Sequence, residues 1–129
     1  MKVLLFEPQK PGRLVDVGYG WEHYRKLIDC RVVQALYPFE DERVVLWCDD
    51  EAKLEQRPFN RPLYGDDKEI YDIVCGPLFL TWEENEDFPE ELVVEYLEKL
   101  PIYEFAMRND GKRLYAINVE AKTYDYIDL

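Results

Sequence analysis

The chain has few of the residues from which catalytic and metal sites are built. Among its 129 residues are one histidine, His23, and three cysteines, Cys30, Cys48 and Cys75. No Cys-x-x-Cys pair occurs, so the spacing typical of zinc knuckles and thioredoxin-like redox sites is missing. Each cysteine lies at the end of an apolar stretch, and we expect all three to be small buried side chains in a reducing compartment.

Long apolar runs are missing as well. No segment approaches the ~20 apolar residues that a membrane-spanning helix needs. The apolar run at residues 3–6 is much shorter than the hydrophobic region of a secretory signal peptide. We therefore expect no membrane association and a cytoplasmic location.

Sequence motifs for common reactions are not present either. There is no glycine-rich phosphate loop, nucleophile elbow or zinc-protease motif. His23 and Cys30 would lie roughly 10 Å apart along a helix, beyond the ~3 Å reach of a Cys–His pair. The acidic clusters at 49–51 and 66–69 lack the spacing of a calcium loop, and we interpret them as solvated turns. The sequence predicts no catalytic residue, no metal ligand and no cofactor.

Basic side chains are scarce relative to acidic ones. The chain has 16 Lys and Arg against 28 Asp and Glu, a formal net charge of −12. This excess is uneven, because residues 1–64 carry a net charge of −1 and residues 65–129 carry −11. Such a chain repels phosphate groups, and we expect no direct binding to nucleic acid.

Most of the excess lies in one segment. Residues 83–98 contain eight carboxylates and neither Lys nor Arg. The periodicity predicts a helix over 90–100 with an inward apolar stripe, and Asp87 and Glu90 have the spacing of a capping box. The carboxylates would then face outward as a surface for a partner protein, which we term the acidic ridge: Glu83, Glu84, Glu86, Asp87, Glu91, Glu95 and Glu98.

A second candidate site is a basic and aromatic patch within 50–64. This stretch has little periodicity and contains Pro58 and Pro62, so it is predicted to be a loop. Its candidate ligand residues are Arg57, Asn60, Arg61 and Tyr64. The two arginines could bind an anionic ligand. Alternatively, they could pair with the acidic turns while Asn60 bonds to the loop backbone.

The remaining segments indicate the fold class. Residues 21–28 have helical spacing with Trp21, Tyr24 and Ile28 on one face, and Asp110-Gly111 is a strong turn signal between two strands. We predict an α+β single domain with a mostly antiparallel sheet, two helices and a C-terminal β-hairpin. The predicted strands are 2–6, 13–17, 31–37, 43–48, 70–75, 78–81, 102–107, 114–119 and 123–127.

Four stretches carry a family resemblance. They are Tyr37-Pro38-Phe39, the run from Val44 to Cys48, residues 60–64, and the run from Ile70 to Phe79. They resemble a family of small acidic proteins known as the domain of unknown function 3846. The resemblance covers about residues 1–100, so residues 101–129 would be a C-terminal extension packed on the same domain. It implies a setting in bacteria, phages and conjugative elements, often among accessory and antirestriction genes, and it brings no activity or catalytic residues.

These observations predict an accessory protein without enzymatic activity that binds another protein, with its oligomeric state left open. One alternative is an antirestriction-type DNA mimic that occupies the basic cleft of a host enzyme. Eight carboxylates match the charge on about 14 Å of duplex, so a dimer would be needed to extend that surface. The other alternative is a binder of small anionic ligands that uses Arg57 and Arg61.

Overall fold

The computed structural model describes all residues from 1 to 129. The chain forms ten strands and two α-helices, the second of which follows a short 3-10 helix at Glu90–Leu92. In chain order the elements are β1 (Lys2–Phe6), β2 (Arg13–Asp16), α1 (Trp21–Leu27), β3 (Val33–Leu36), β4 (Val44–Asp49), β5 (Phe59–Tyr64), β6 (Ile70–Cys75), β7 (Leu78–Trp82), α2 (Val93–Lys99), β8 (Tyr103–Arg108), β9 (Arg113–Asn118) and β10 (Thr123–Asp128).

The strands form three sheets in which every pair is antiparallel. A five-stranded sheet has the order β2-β1-β7-β4-β3, a three-stranded sheet has the order β10-β9-β8, and β5 pairs with β6 alone. The predicted α+β class is confirmed. Neither α-helix, at seven residues each, could span a membrane.

The five-stranded sheet buries both of its faces, because alternate residues of a strand point to opposite sides. In β4, Val45 and Trp47 lie on one face and Val44, Leu46 and Cys48 on the other. The first face packs against α1. The second face packs against β5, β6 and the helical segment around α2, through Leu63, Val74, Phe88, Tyr96 and Leu100.

Helix α1 differs from its prediction at one position. Tyr24 and Ile28 are 2% and 1% exposed and face the sheet, as expected. Trp21, which was predicted on the same inward face, is 58% exposed. Its ring contacts Trp47 edge-on, with a distance of 5.4 Å between the ring centroids. Trp21 begins the helix at the margin of the sheet, so only one side of its ring is covered.

The prediction of a loop over 50–64 is confirmed for residues 50–58 and wrong for Phe59–Tyr64, which forms β5. Two of its most completely buried residues, Asn60 and Arg61, are polar. A strand with polar residues at buried positions lacks the alternation of apolar and polar residues by which strands are predicted. Two register shifts in the β5–β6 ladder further weaken the alternation of apolar and polar residues.

The bend at Gly76-Pro77 joins β6 to β7, but these two strands belong to different sheets.

The predicted helix over 90–100 exists as the 3-10 helix followed by α2, and its apolar stripe packs on the core as expected. The capping box is wrong. Pro89 occupies the N-cap position without a side-chain bond. Asp87 Oδ1 instead accepts a hydrogen bond from the Lys2 backbone N–H at 2.9 Å. The Lys2 backbone N–H, which is distant in sequence, therefore binds the Asp87 carboxylate that the local spacing predicted as the helix cap.

The C-terminal hairpin is confirmed, and β10 adds a third strand to it. Its turn contains four residues, with positive φ angles of 55°, 54° and 83° at Asn109, Asp110 and Gly111. The sheet contacts β5, where the rings of Phe59 and Phe105 lie 5.3 Å apart. The hydroxyl groups of Tyr64 and Tyr103 are 3.3 Å apart in the same contact.

Candidate functional site

All seven carboxylates of the acidic ridge are exposed, as predicted. Glu83, Glu84 and Glu86 lie in the turn after β7, and Asp87 follows them. Glu91, Glu95 and Glu98 lie on the outward side of the helical segment. Within the ridge only Glu95 has a cation within 4.0 Å, since Lys99 Nζ lies 3.9 Å from its carboxylate. The ridge is thus a surface of largely unpaired negative charge.

The turn of the acidic ridge is fixed to the core by two hydroxyl groups. Thr81 Oγ1 accepts a hydrogen bond from Trp47 Nε1 at 2.9 Å and donates to the Glu83 carbonyl at 2.5 Å. The Tyr24 hydroxyl donates to the Glu84 carbonyl at 2.7 Å. The Glu83 N–H donates to the Arg43 carbonyl at 2.6 Å, with Glu83 itself at a φ of 53°. These bonds hold the turn in one conformation.

Two exposed aromatic residues adjoin this turn. Tyr19 is 65% exposed and Trp21 is 58% exposed. Trp21 and Tyr24 both contact the Trp47 ring, at 5.4 and 5.0 Å. Burial, followed by the charges of the nearby Glu84 carboxylate and Tyr19 phenol, raises the pKa of Tyr24 to about 12. Tyr24 and Trp47 therefore connect the helix that begins at Trp21 to the turn of the acidic ridge.

The sequence did not identify the residues that support or extend the acidic ridge. Tyr24 and Thr81 are buried, and their ordinary core spacing gives no sign that their hydroxyl groups reach the turn. Tyr19 and Trp21 precede or begin a short amphipathic helix. The only available signal was the pair of glycines around Tyr19, which marks an exposed turn.

Of the predicted ligand residues, Arg57 and Asn60 bond to protein groups. Arg57 Nη1 donates to the buried Asp49 carboxylate at 3.0 Å and to the Asp29 carbonyl at 3.2 Å. Gly76 allows this approach, because a Cβ at this residue would lie 2.9 Å from Arg57 Nε. Asn60 Nδ2 donates to the carbonyl groups of Phe6 and Gly76 at 2.9 and 2.8 Å.

Arg61 is the largest fully buried side chain of the protein, with no exposed surface. Its guanidinium donates four hydrogen bonds, one to Asn60 Oδ1 at 2.6 Å and three to backbone carbonyl groups. These carbonyls belong to Glu7, Lys10 and Leu100, at 3.2, 2.6 and 3.2 Å. Burial lowers the pKa of Arg61 to about 10. A ligand could reach this group only by displacing packed protein.

Tyr64 connects the same strand to the C-terminal sheet. Its hydroxyl donates to Asp125 Oδ2 at 2.7 Å and lies 3.3 Å from the Tyr103 hydroxyl. Burial and these two neighbours raise the pKa of Tyr64. The four predicted ligand residues are therefore not gathered around one open site. Arg57 pairs with the carboxylate of Asp49, as the alternative predicted, whereas Arg61 bonds to no carboxylate.

Cys48 and Cys75 are buried as predicted, whereas Cys30 is only half-buried and His23 is exposed. Burial raises the pKa of Cys30 to about 11 and that of Cys48 to about 12, so both thiols are protonated at neutral pH. A Cβ at Gly18 would lie 2.5 Å from His23 Nδ1, which shows that the imidazole packs against this glycine. No group of three or more His, Cys, Asp or Glu side chains is arranged to hold a metal ion.

Comparison with known families supports the resemblance seen in the sequence. The family model described as "Domain of unknown function (DUF3846)" matches residues 1–101. The chain belongs to this family. The match ends where the helical segment gives way to β8, so the C-terminal sheet lies outside it. Comparisons of this DUF3846 protein with curated proteins and with solved structures gave no match.

Replacing Arg61 should reveal how strongly the fold depends on its hydrogen bonds. We expect Arg61→Met to lower the free energy of unfolding by at least about 3 kcal/mol, because four acceptors, two of them in fully buried bonds, lose their donor. Arg61→Lys should recover part of this loss. Urea denaturation followed by tryptophan fluorescence measures both. The exposed control, Arg25→Met, should change stability by less than about 0.5 kcal/mol, and an equal loss in both variants would contradict the assigned role.

The raised pKa of Tyr24 predicts a stability change at alkaline pH. Because its folded pKa, about 12, lies above the usual value of 10.0, the folded state keeps a proton that the unfolded state loses. Tyr24→Phe should cost about 1 kcal/mol at neutral pH through the lost bond to Glu84. The advantage of the native residue should persist below pH 10 and shrink as the pH rises from 10 to 12. Urea midpoints across this range test the prediction.

The control for Tyr24 is Tyr37→Phe, since the Tyr37 ring is 52% exposed and its hydroxyl makes no hydrogen bond. The urea midpoint of this control should equal that of the native protein at every pH. A stability gap between the native protein and Tyr24→Phe that stays constant from pH 7 to 12 would refute the assignment.

Proposed function

We propose that this DUF3846 protein is a non-enzymatic accessory protein that binds a basic surface of a partner protein through its acidic ridge. The observation that carries the proposal is a set of seven exposed carboxylates, of which only Glu95 has a nearby cation. A concentration of unpaired carboxylates produces a negative potential that attracts and orients a positively charged partner.

The neighbouring aromatic residues support a protein rather than an ion as the partner. Protein interfaces draw much of their affinity from a few aromatic side chains surrounded by polar groups. Tyr19 and Trp21 are more than half exposed next to the turn of the acidic ridge, and the Trp21 ring is steadied by its contact with Trp47. They are suited to anchor a partner that the carboxylates attract.

The fixed conformation of the turn supports the same proposal. Ordering a flexible loop on binding costs free energy, and a turn that is already ordered avoids this cost. The bonds from Thr81 and Tyr24 hold the carbonyl groups of Glu83 and Glu84 before any partner arrives. The non-enzymatic part of the proposal is supported by the protonated thiols of Cys30 and Cys48.

Neutralising the acidic ridge should abolish partner binding. We expect the variant with Glu83, Glu84, Glu86 and Glu91 changed to Gln to capture at least about tenfold less of the partner than the native chain, because the attracting charge is removed. The measurement is a pull-down at micromolar protein from a lysate of the source cells, quantified by mass spectrometry. Raising the salt concentration should weaken capture by the native chain.

A charge-matched control separates a specific surface from general acidity. It changes four other exposed carboxylates to Gln, namely Glu40, Glu42, Glu55 and Glu120. This control should bind as the native chain does, whereas Trp21→Ala should bind more weakly. Recovery of no specific partner, or equal loss in the ridge variant and the control variant, would overturn the proposal.

A second candidate follows from the density of charge. Residues 83–98 carry eight carboxylates, which match about 14 Å of duplex. The family resemblance implies a setting near antirestriction genes, so the partner could be a nucleic-acid-binding enzyme whose basic cleft accepts the acidic ridge in place of DNA. A 20-base-pair duplex should then displace the captured partner in competition. Persistent capture at saturating duplex would exclude mimicry and leave the first proposal intact.

A further inference from the structure

The outer edge of the C-terminal sheet is a regular strand without a neighbour. Strand β10 pairs only with β9, in an unbroken register from Thr123↔Asn118 to Asp128↔Arg113. In an antiparallel pair, alternate residues direct their N–H and C=O groups toward the partner strand, and the others direct them away. The outer side of β10 therefore presents a row of backbone donors and acceptors.

Other strand edges in the protein are short, interrupted or covered. Strands β2 and β3, at the edges of the large sheet, have four residues each. Strands β5 and β6 share a ladder with two register shifts, β5 also contains Pro62, and β8 lies against β5. Proteins use such features to prevent unwanted strand pairing. Strand β10 has six residues with no proline, lysine or register shift, so it lacks these protections.

A groove of about 520 Å³ runs along this edge. Strand β10 forms one side through Tyr124, Asp125, Tyr126, Ile127 and Asp128. The beginning of β6 and the residues before it form the other side.

The chemistry of the groove favours a cationic segment with apolar side chains. The far side consists of Lys68, Glu69 and Ile70. Asp128 is paired with Arg113 at 2.8 Å, which leaves the carboxylates of Glu69 and Asp125 beside one ammonium group, while Ile70 and Ile127 supply apolar surface. Like charges are repelled and opposite charges attracted at such a site.

The tyrosines of β10 lie on the sheet face opposite Ile127, because side chains alternate along a strand. Tyr124 is 64% exposed and Tyr126 is 48% exposed. A cation already contacts this face, since Arg113 Cζ lies 4.1 Å from the centroid of the Tyr126 ring. Arg113 therefore already fills the cation position on this face, and the tyrosine rings present apolar surface to an added strand.

We propose that the free edge of β10 binds an extended segment of a partner protein as an added fourth strand, with apolar residues alternating with Lys or Arg. The cationic side chains face Glu69 and Asp125, and the apolar side chains lie against the rings of Tyr124 and Tyr126. Backbone bonds provide affinity and the alternating side chains provide selectivity, as in other cases of strand addition.

The charge of the chain favours this occupant over a second copy. Each copy carries a net charge of −12, so two copies repel one another. Self-pairing centred on Asp125 would also place this carboxylate opposite its own copy, which is unfavourable in a sheet. The edge shares no residue with the acidic ridge, so this inference is independent of the proposed function.

The test uses an acetylated peptide, Lys-Val-Lys-Val-Lys-Val, added to the full chain at up to millimolar concentration. Hydrogen–deuterium exchange read by NMR reports each backbone amide of Thr123–Asp128. The peptide should slow exchange at alternate amides of β10, those directed outward, and leave β8 unchanged. A strand added at the edge produces this two-residue period, and unspecific attraction to an acidic protein does not.

Two control peptides and one control variant complete the experiment. A block peptide, Lys-Lys-Lys-Val-Val-Val, has the same charge, and Lys-Val-Lys-Pro-Lys-Val cannot form a continuous ladder. Both should bind at least about tenfold more weakly than the alternating peptide. The variant with Glu83, Glu84, Glu86 and Glu91 changed to Gln should bind the alternating peptide as the native chain does.

Three results would overturn the proposal. The first is equal binding of the alternating and block peptides, or no binding at millimolar concentration. The second is protection outside β10 or loss of binding in the ridge variant. The third is concentration-dependent protection of β10 without peptide, together with a dimer in light scattering, which would assign the edge to a second copy. Failure of the ridge pull-down alone leaves this inference standing.

Discussion

The arrangement of the protein depends on a guanidinium group that is buried without a carboxylate partner. Removing a charge from water costs several kcal/mol unless hydrogen bonds replace the lost solvation. Arg61 obtains four such bonds, three of them from backbone carbonyl groups of segments far away in the chain. Bonds to a charged donor are stronger than neutral ones, so each carbonyl is held firmly. The charge can therefore be buried without a large free-energy penalty only when β5, the loop after β1 and the end of the helical segment are correctly assembled.

Those segments define how the layers join. The bonds to Glu7 and Lys10 fix the loop that leaves β1, and the bond to Leu100 fixes the end of the helical segment around α2. Asn60, beside Arg61, fixes the end of β1 and the bend between β6 and β7 through Phe6 and Gly76. Strand β5 is consequently attached to the large sheet by side-chain bonds where no ladder connects them. The same strand carries Phe59 and Tyr64, against which the C-terminal sheet packs, so the position of the β10 edge follows from the same bonds.

The sequence predicts those parts of the fold whose cause is local. The faces of β4 and the stripe of α2 follow from apolar periodicity, and the exposure of the acidic ridge follows from the same stripe. Strand β5 could not be predicted, because Asn60 and Arg61 are satisfied by groups up to 54 residues away, and no local pattern reports such partners. The capping box failed for the same reason, since the backbone of Lys2 takes the Asp87 carboxylate. Polar contacts between residues far apart in the chain could therefore not be predicted from the sequence.

The distribution of ion pairs explains why the net charge is not spread evenly over the surface. In residues 1–64 most cations have a carboxylate beside them, as in the pairs Arg13–Glu7, Arg31–Glu51, Arg43–Asp41 and Arg57–Asp49. The opposite charges within each pair cancel, so these pairs contribute little to the electrostatic potential around the protein. The carboxylates of the acidic ridge are arranged differently, because their segment has no Lys or Arg before Lys99. Negative charge that served only solubility could be scattered over the surface and partly paired. The carboxylates of the acidic ridge are instead concentrated, several of them on a turn that Thr81 and Tyr24 hold in place. Such an ordered concentration of charge supports the proposed recognition surface.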